Sequence, residues 1–362
     1  MRVEKMSQMQ LSHCPEYTPQ HVVFEIRDPE IGLTAFVAVH KARYNVPGFG
    51  ATRFWQYSSE EEALRDALRL SRLMSYKGAA ADLPYTGAKA VIMYTEKAAE
   101  HRKEIFERYA KAVESLQGQF ITGTDVGVTN EDVQDMSHHT SYVIGKNVDP
   151  AFFTARGVFL GIEITLQEVF GSREIRGRHF AVQGAGKTGM ALLHMLKDAG
   201  ADLIITDTNP QRREELRNEF PLAAICEPQD IYEAKVDVFC PCALGGVLNH
   251  DTIPLLQCRA VAGSANNQLC DELSAQELNQ RNILYAPDYV INLGGLASVV
   301  DEFQYHTADA DRIEEKLHDM TALLEDIFTR RRDSHMPPSV VADEVMQERL
   351  YGSVFTPTYV LN

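Results

Sequence analysis

At 362 residues the chain exceeds the size at which a single core keeps growing, so two domains with a cleft between them are the natural expectation. A hydrophobic content of 44% with 24% charged residues suits a globular protein in water, and no apolar run approaches the roughly 18 residues that span a bilayer, which argues against a membrane partner. The net charge of -16 argues equally against nucleic acid, whose phosphates require a basic surface.

The first residues lack the continuous apolar stretch of a secretion signal, and six scattered cysteines make no paired framework, so a cytoplasmic location is expected. Residues 22–27 and 33–39 read as strands, the second largely apolar and rich in β-branched residues. A helix follows. Ser59 and Glu62 match a capping box, and Ala63, Leu64, Ala67, Leu68, Leu70 and Leu73 form its apolar face. The next segment, MSYKGAAADLPYTGAKA (74–90), sets Lys77 and Lys89 twelve positions apart around a turn of small residues. Lys77 is expected to follow the helix and Lys89 to open an apolar strand, so that both ammonium groups converge at a cleft. A second helix carries Ile105, Phe106, Tyr109, Ala110, Val113 and Leu116, and a short strand over 119–122 leads to Asp125.

From about Gly157 the pattern becomes strand, tight turn, helix, strand. Short apolar runs at 180–183, 203–206, 236–239, 260–262 and 283–285 predict a parallel sheet. A long helix carries Ile313, Leu317, Met320, Leu324 and Ile327, after which Pro337 and Pro338 break the chain and Ser339 is placed to cap a last helix. The fold class is therefore α/β. A first, substrate-binding domain is expected over 1–150, a Rossmann-type domain over 151–328, and C-terminal helices returning to the first domain over 329–362. Cys240 and Cys242 lie in an apolar run with no second pair or suitably spaced histidine, so they read as buried thiols and no metal is expected.

Gly184, Gly186 and Gly189 sit between a strand and a helix, with Asp207 at the end of the next strand, 21 positions after Gly186. In that context GxGxxG is a strong dinucleotide signal. The first glycine permits the turn, the second lets a pyrophosphate approach the backbone, and the third allows close helix packing. Lys187 and Thr188 open the helix, whose N-terminal amides and dipole favour an anion. Asp207 is placed to accept from the adenine ribose hydroxyls, which predicts NAD over NADP. Arg212 and Arg213 lie nearby and are expected to be solvated. A P-loop reading of GAGKT fails on spacing, because the required first glycine falls at Ala181.

With a nicotinamide present, an amino acid substrate needs a cation for its carboxylate, a base to activate water against an imine, and a carboxylate to exchange protons with nitrogen. Lys77, Lys89 and Asp125 supply these groups. For Lys89 to act as a base its pKa must fall from about 10.4, each unit costing roughly 1.4 kcal/mol. A neighbouring cation, expected to be Lys77, and a dry site would both push it down. Asp125 opposes them, so it must be offset or share its proton. Activity rising at alkaline pH follows.

These motifs, with ITGTDVG, FCPCALGGVLN, VAGSANNQL and YAPDYVINLGG in the same order, resemble the leucine, valine, phenylalanine and tryptophan dehydrogenases of the glutamate dehydrogenase superfamily over nearly the whole chain. The resemblance implies reversible oxidative deamination of an L-amino acid to a 2-oxo acid and ammonia, and a homo-oligomer, dimer or octamer, with 1–150 serving as the substrate-binding and oligomerisation domain. It implies that Lys77 grips the α-carboxylate, Lys89 activates water and Asp125 transfers protons. Thr154, Asn266 and Asn267 resemble positions near the nicotinamide and substrate. Ala243 and Leu244, with Gly245 and Gly246, resemble the turn beside the cofactor, and residues 292–295, beginning at Asn292, the loop at the cleft base. Phe49, in PGFGATRF with Gly50 and Ala51, stands where glutamate dehydrogenases have a lysine for the side-chain carboxylate. A phenyl ring cannot pair that charge, so an apolar or aromatic substrate side chain is expected, lined also by Ala51, Ile144, Leu296 and Val299.

The chain departs from the family in two places. Three glycines usually precede the water-activating lysine, whereas here stand Thr86, Gly87 and Ala88. Were Thr86 held at positive φ, its branched side chain would strain the turn or move Lys89. The passage KNVDPAFFT (146–154) is shorter than usual and carries Phe152 and Phe153 in place of small residues. Two alternatives to the amino acid dehydrogenase follow from these changes: a relative acting on an unusual substrate in specialised biosynthesis, and a non-catalytic NAD-binding relative.

Overall fold

The computed structural model describes residues 1–41, 46–145 and 148–352, so Lys146 and Asn147 of the KNVDPAFFT passage lie outside the described residues. The chain forms two compact units. The first comprises residues 1–148, 302–307 and those from 347 onward, and the second 149–301 with 308–346.

The first unit holds a seven-stranded mixed sheet of β1 (Arg2–Lys5), β2 (His21–Asp28), β3 (Leu33–His40), β4 (Gly48–Phe49), β5 (Thr52–Trp55), β6 (Thr86–Met93) and β7 (Phe120–Ile121). Its order is β1-β2-β3-β6-β4-β7, with β5 also paired to β6. Strand β3 reads as almost continuously apolar because both its faces are covered. Ala35, Val37 and Val39 join the core with Ile105, Phe106 and Tyr109 of the helix Arg102–Ser115, while Phe36 and Ala38 meet Ala63, Leu64, Ala67 and Leu68 of the helix Glu60–Ala80. Each large side chain so buried contributes about 1.5–3 kcal/mol.

Ser59 caps the helix Glu60–Ala80, its Oγ accepting from Glu62 N at 3.1 Å. The return bond differs from a capping box. The Glu62 carboxylate accepts from Ser58 N and Oγ at 2.7 and 2.6 Å, one residue before the cap. Lys77 does not follow this helix but lies in its last turn, because the small residues Gly78, Ala79 and Ala80 continue it. Lys89 is likewise the fourth residue of β6 rather than its first.

The second unit holds a six-stranded parallel sheet of β8 (His179–Gln183), β9 (Asp202–Thr206), β10 (Ala224–Ile225), β11 (Val238–Pro241), β12 (Ala260–Val261) and β13 (Leu284–Tyr285). The order β10-β9-β8-β11-β12-β13 is that of a doubly wound sheet in which strands 3-2-1 are followed by 4-5-6. Its direction of winding reverses between β8 and β11. The carboxyl ends of those two strands therefore bound a crevice, the place where open α/β sheets bind ligands.

The helix Ala310–Ser334 and most of the helix Pro338–Tyr351 belong to the second unit, so after the brief return at 302–307 the chain next rejoins the first at Gln347, later than the 329 read from the sequence. There Gln347 Nε2 donates to Tyr76 OH at 3.1 Å and Arg349 Nη1 to Ala79 O at 3.1 Å. The last helix begins at Pro338, whose fixed φ suits a first helical position, and Ser339 lies inside its first turn instead of capping it. Among the described residues no helix is long and apolar enough to cross a membrane. All six cysteines are free; Cys240 is buried, which pushes its thiol pKa up, and Cys242 is half-buried.

Candidate active site

In β6 the side chains alternate. Ala88, Ala90 and Ile92 enter the core shared with Arg102–Ser115, which turns Lys89 and Val91 to the opposite face, where Val91 packs against the helix Glu60–Ala80. Parallel pairing sets Arg53 of β5 opposite Val91 and so on the face of Lys89. A bridge between Thr52 and Thr124 places Asp125 beside Arg53. Three distant segments thus meet.

Lys89 Nζ lies 2.8 Å from Asp125 Oδ2, and Arg53 Nε donates to the same oxygen at 2.8 Å. Arg53 Nη1 also donates to Asp66 Oδ2 at 2.9 Å, an oxygen that accepts from Tyr57 OH at 2.8 Å as well. Lys89 is only 6% exposed, and burial pushes its pKa below the ordinary lysine value; Asp125 opposes the fall and Arg53 assists it. Asp125 is therefore in direct contact rather than offset, and burial outweighs it. Arg53 is a cation acting on Lys89 that the sequence reading did not name. Burial pushes the Asp125 carboxyl up, but Lys89 and Arg53 outweigh that and hold it below the usual carboxylate range. Lys77 stands half-buried between the buried Tyr76 and Gly78 of its helix. Arg53 and Asp66 escaped the sequence reading, although the alternation in TRFW and the eleven-residue interval from Asp66 to Lys77, three helical turns, were available as signals.

Thr86 keeps ordinary strand backbone, so the strain anticipated for it does not arise. Its hydroxyl donates to His40 O and it is buried. Gly87 alone is required by space: a Cβ there would lie 2.0 Å from Ser75 N and 2.3 Å from Ser71 O. Gly50 is similarly constrained, its Cβ position falling 1.8 Å from Ala88 O. Gly87→Ala is accordingly expected to cost about 1–3 kcal/mol by overpacking. Thermal denaturation checks this: melting should drop by roughly 2–4 °C per kcal/mol, and an unchanged midpoint would contradict the crowding.

Phe49 is 3% exposed and lies beneath two half-buried rings, Tyr85 at 5.2 Å and Phe303 at 5.9 Å between centroids. Those outer rings were not foreseen. Ala51 is half-buried in the short link between β4 and β5, and Ile144 lines a pocket of about 410 Å³ in the first unit with Tyr142, Glu302, Phe303 and His306. Leu296 and Val299 occupy one side of the helix Gly294–Tyr305, three positions apart, the first buried and the second half-buried.

In the second unit the glycines of the β8 turn are constrained by different things. Gly184 has φ +99°, and a Cβ on it would stand 2.7 Å from Ala243 Cβ, which follows β11 across the crevice. A Cβ on Gly189 would lie 2.1 Å from Gly184 O. Gly186 has nothing within 4 Å of its Cβ position, so no protein atom requires a glycine there. It caps the helix Lys187–Asp198, and the open space beside the helix amides is where a phosphate can approach. Lys187 is exposed, 3.8 Å from Asp149, and Thr188 is half-buried.

The Asp207 carboxylate accepts from Ala185 N and Asn209 N, both at 2.9 Å, which fixes it at the edge of the same turn. The nearby arginines are not simply solvated. Arg213 is buried, donating to Asp207 O at 2.8 Å and to Glu227 at 2.6 Å, and Arg212 Nε donates to Ala185 O at 3.2 Å. Leu244 is exposed, unusual for so large an apolar side chain. Asn292 is buried; its amide donates to Asn266 Oδ1 at 3.0 Å, and its Oδ1 has no partner among the described residues. Asn267 adopts φ +53°, and its carbonyl accepts from Gly246 N at 2.8 Å. Thr154 donates to Pro150 O at 2.8 Å in the first turn of the helix Pro150–Phe170, and a Cβ on Gly295 would meet its Oγ1 at 2.3 Å. An open glycine at a helix start, an anchored acid at the next strand end and an orphaned amide oxygen fit a dinucleotide.

Residues 20–142 match the Glu/Leu/Phe/Val dehydrogenase dimerisation domain and residues 206–351 the Glutamate/Leucine/Phenylalanine/Valine dehydrogenase domain. The chain is 38% identical to a leucine dehydrogenase of Geobacillus stearothermophilus, over 92% of its own length and 91% of that protein's. It is 39% identical to a phenylalanine dehydrogenase of Lysinibacillus sphaericus, over 86% of its length and 83% of that protein's. The crystal structure of L-tryptophan dehydrogenase from Nostoc punctiforme superposes with a TM-score of 0.80 at 38% identity, covering 94% of this chain and 98% of that one. The chain belongs to the Glu/Leu/Phe/Val dehydrogenase family.

Proposed function

We propose that this protein is an NAD-dependent L-amino acid dehydrogenase that interconverts an apolar or aromatic amino acid with its 2-oxo acid and ammonia. The observation that carries the reading is the buried Lys89, its pKa pushed down by desolvation while it stays 2.8 Å from Asp125. A structural lysine gains nothing from that environment. A base does, because it must shed its proton near working pH.

The substrate carboxylate is held by Lys77. When bound, NAD would supply the acceptor for hydride leaving the substrate Cα. Neutral Lys89 then takes a proton from water as its oxygen adds to the imine carbon, and Asp125 exchanges protons with the nitrogen as ammonia leaves. Phe49, backed by Tyr85 and Phe303, offers an apolar wall with no cation for a side-chain carboxylate. Ala51, Ile144, Leu296 and Val299 complete the side-chain contacts. Relatives named for leucine, phenylalanine and tryptophan support that substrate class.

Gly184, Gly186, Lys187, Thr188 and Gly189 hold the pyrophosphate, and Ala243, Leu244, Thr154, Asn266, Asn267 and Asn292 surround the rest of the cofactor and the substrate head. Asp207 receives the ribose hydroxyls and repels a 2'-phosphate. NAD should therefore bind more tightly than NADP, and Asp207→Ala should narrow the gap; equilibrium titration of both cofactors checks this, and tighter NADP binding to the wild type would refute the assignment. The match to a dimerisation domain supports a homo-oligomer, dimer or octamer, and six free cysteines suit a cytoplasmic one.

The reading as a whole is tested by mixing the protein with NAD and pools of amino acids and following the absorbance of the reduced cofactor. Apolar or aromatic pools should respond. Silence across all of them, with NAD bound, would overturn the substrate class.

A further inference from the structure

The second unit carries a cluster of ligating side chains that the dehydrogenase chemistry does not use. Leu248 and Leu269 form an isolated parallel bridge, with Leu248 N donating to Gln268 O at 2.9 Å and Cys270 N to Leu248 O at 3.0 Å. His250 lies two residues beyond the first strand of that bridge, and Cys270 and Asp271 directly follow the second. The backbone ladder thus fixes the three side by side. A nitrogen of His250, Cys270 Sγ and a carboxylate oxygen of Asp271 all lie within 4.8 Å of one another, and all three residues are exposed.

The surroundings orient each group. Asp271 spends Oδ1 on capping the helix Glu272–Gln280, accepting from Ser274 N and Oγ at 2.8 Å, which leaves Oδ2 turned toward His250 Nε2 at 2.9 Å. On the other side of the ring, His250 Nδ1 faces Glu277 Oε2 at 3.3 Å. A carboxylate on the far nitrogen of an imidazole is the arrangement that fixes the tautomer of a metal-bound histidine and leaves its other nitrogen to ligate. Cys270 Sγ is 3.1 Å from Ser274 Oγ, in reach of the same point.

We infer that His250 Nε2, Cys270 Sγ and Asp271 Oδ2 bind a zinc-like divalent cation, with Glu277 orienting the histidine and solvent filling the fourth position. A mixed nitrogen, sulfur and oxygen set with one open position suits zinc and excludes calcium and magnesium, which take oxygen ligands. On binding, the Cys270 thiol proton and any proton on Nε2 pass to solvent. A plain surface ion pair would use His250 with its two carboxylates and have no role for the thiol, so the sulfur decides between the two. The cation would clamp the loop after β11, which carries Ala243 and Leu244, to the loop after β12, which carries Asn266 and Asn267.

The test uses the full chain stripped with a chelator and titrated with cobalt(II), whose thiolate complexes give a charge-transfer band in the near ultraviolet. One equivalent per chain should produce the band, and zinc should displace it. The band should vanish in Cys270→Ser, persist in Cys226→Ser, and need about 10–100-fold more metal in Glu277→Gln. All of these positions are at least partly exposed, and thermal melting of the stripped variants should match the stripped wild type. Absence of the band in the wild type, or its survival in Cys270→Ser or His250→Ala, overturns the site.

Discussion

Lys89→Ala is expected to reduce kcat by about 10²–10⁴-fold, the range of a positioned general base, while cofactor binding stays intact. The loss should be chemical rather than structural. Arg53 still pairs Asp125 Oδ2 at 2.8 Å when the lysine is removed, so no carboxylate is left buried without a partner. Single-turnover measurements on the variant, with NAD affinity determined separately, distinguish the two. A small primary amine added in solution should restore part of the rate, increasingly so as pH rises through the amine's own pKa. In the wild type, activity should climb toward alkaline pH with a midpoint below that of an ordinary lysine, because burial lowers the pKa of Lys89 and only its neutral form takes a proton from water. Undiminished turnover in Lys89→Ala, or a flat wild-type profile from neutral to about pH 10, would remove the base from the mechanism.

What the sequence disclosed and what it withheld divide along physical lines. Contacts set by short spacing were legible. The strand, turn and helix around Gly184 and the acid at Asp207 stand within one βαβ unit, and the apolar run over 33–39 announced the strand β3. Contacts set by sheet register were not. Arg53 reaches Asp125 because Thr52 bridges Thr124, and shares the face of Lys89 because β5 pairs in parallel with β6, while Phe303 reaches Phe49 across more than half the chain. The same applies to His250 and Cys270, twenty residues apart and joined by a single backbone bridge. Spacing also misled at Lys77. The run of small residues suggested a turn beyond the helix, but alanine-rich sequence extends a helix, so Lys77 lies in its last turn, while the register adds Arg53 as a positive charge beside Lys89.

The charge of Arg53 makes the second large effect a question of direction as well as size. Asp125→Asn removes the group that exchanges protons with the substrate nitrogen, so kcat should fall by about 10²–10⁴-fold. It also removes the stronger of the two carboxylate influences that favour the ammonium form of Lys89, 2.8 Å away, leaving the weaker Asp66 against burial and Arg53, which disfavour it. The alkaline limb of the residual activity should therefore move to lower pH. Arg53→Gln acts with the opposite sign: it takes away a positive charge while Asp125 stays, so the Lys89 pKa rises and the limb moves to higher pH, with a smaller loss of kcat because Arg53 positions the carboxylate without touching substrate. A purely structural disturbance has no reason to shift the two profiles in opposite senses. Profiles of kcat for both variants displaced the same way, or not displaced, would show that these charges do not set the protonation of Lys89.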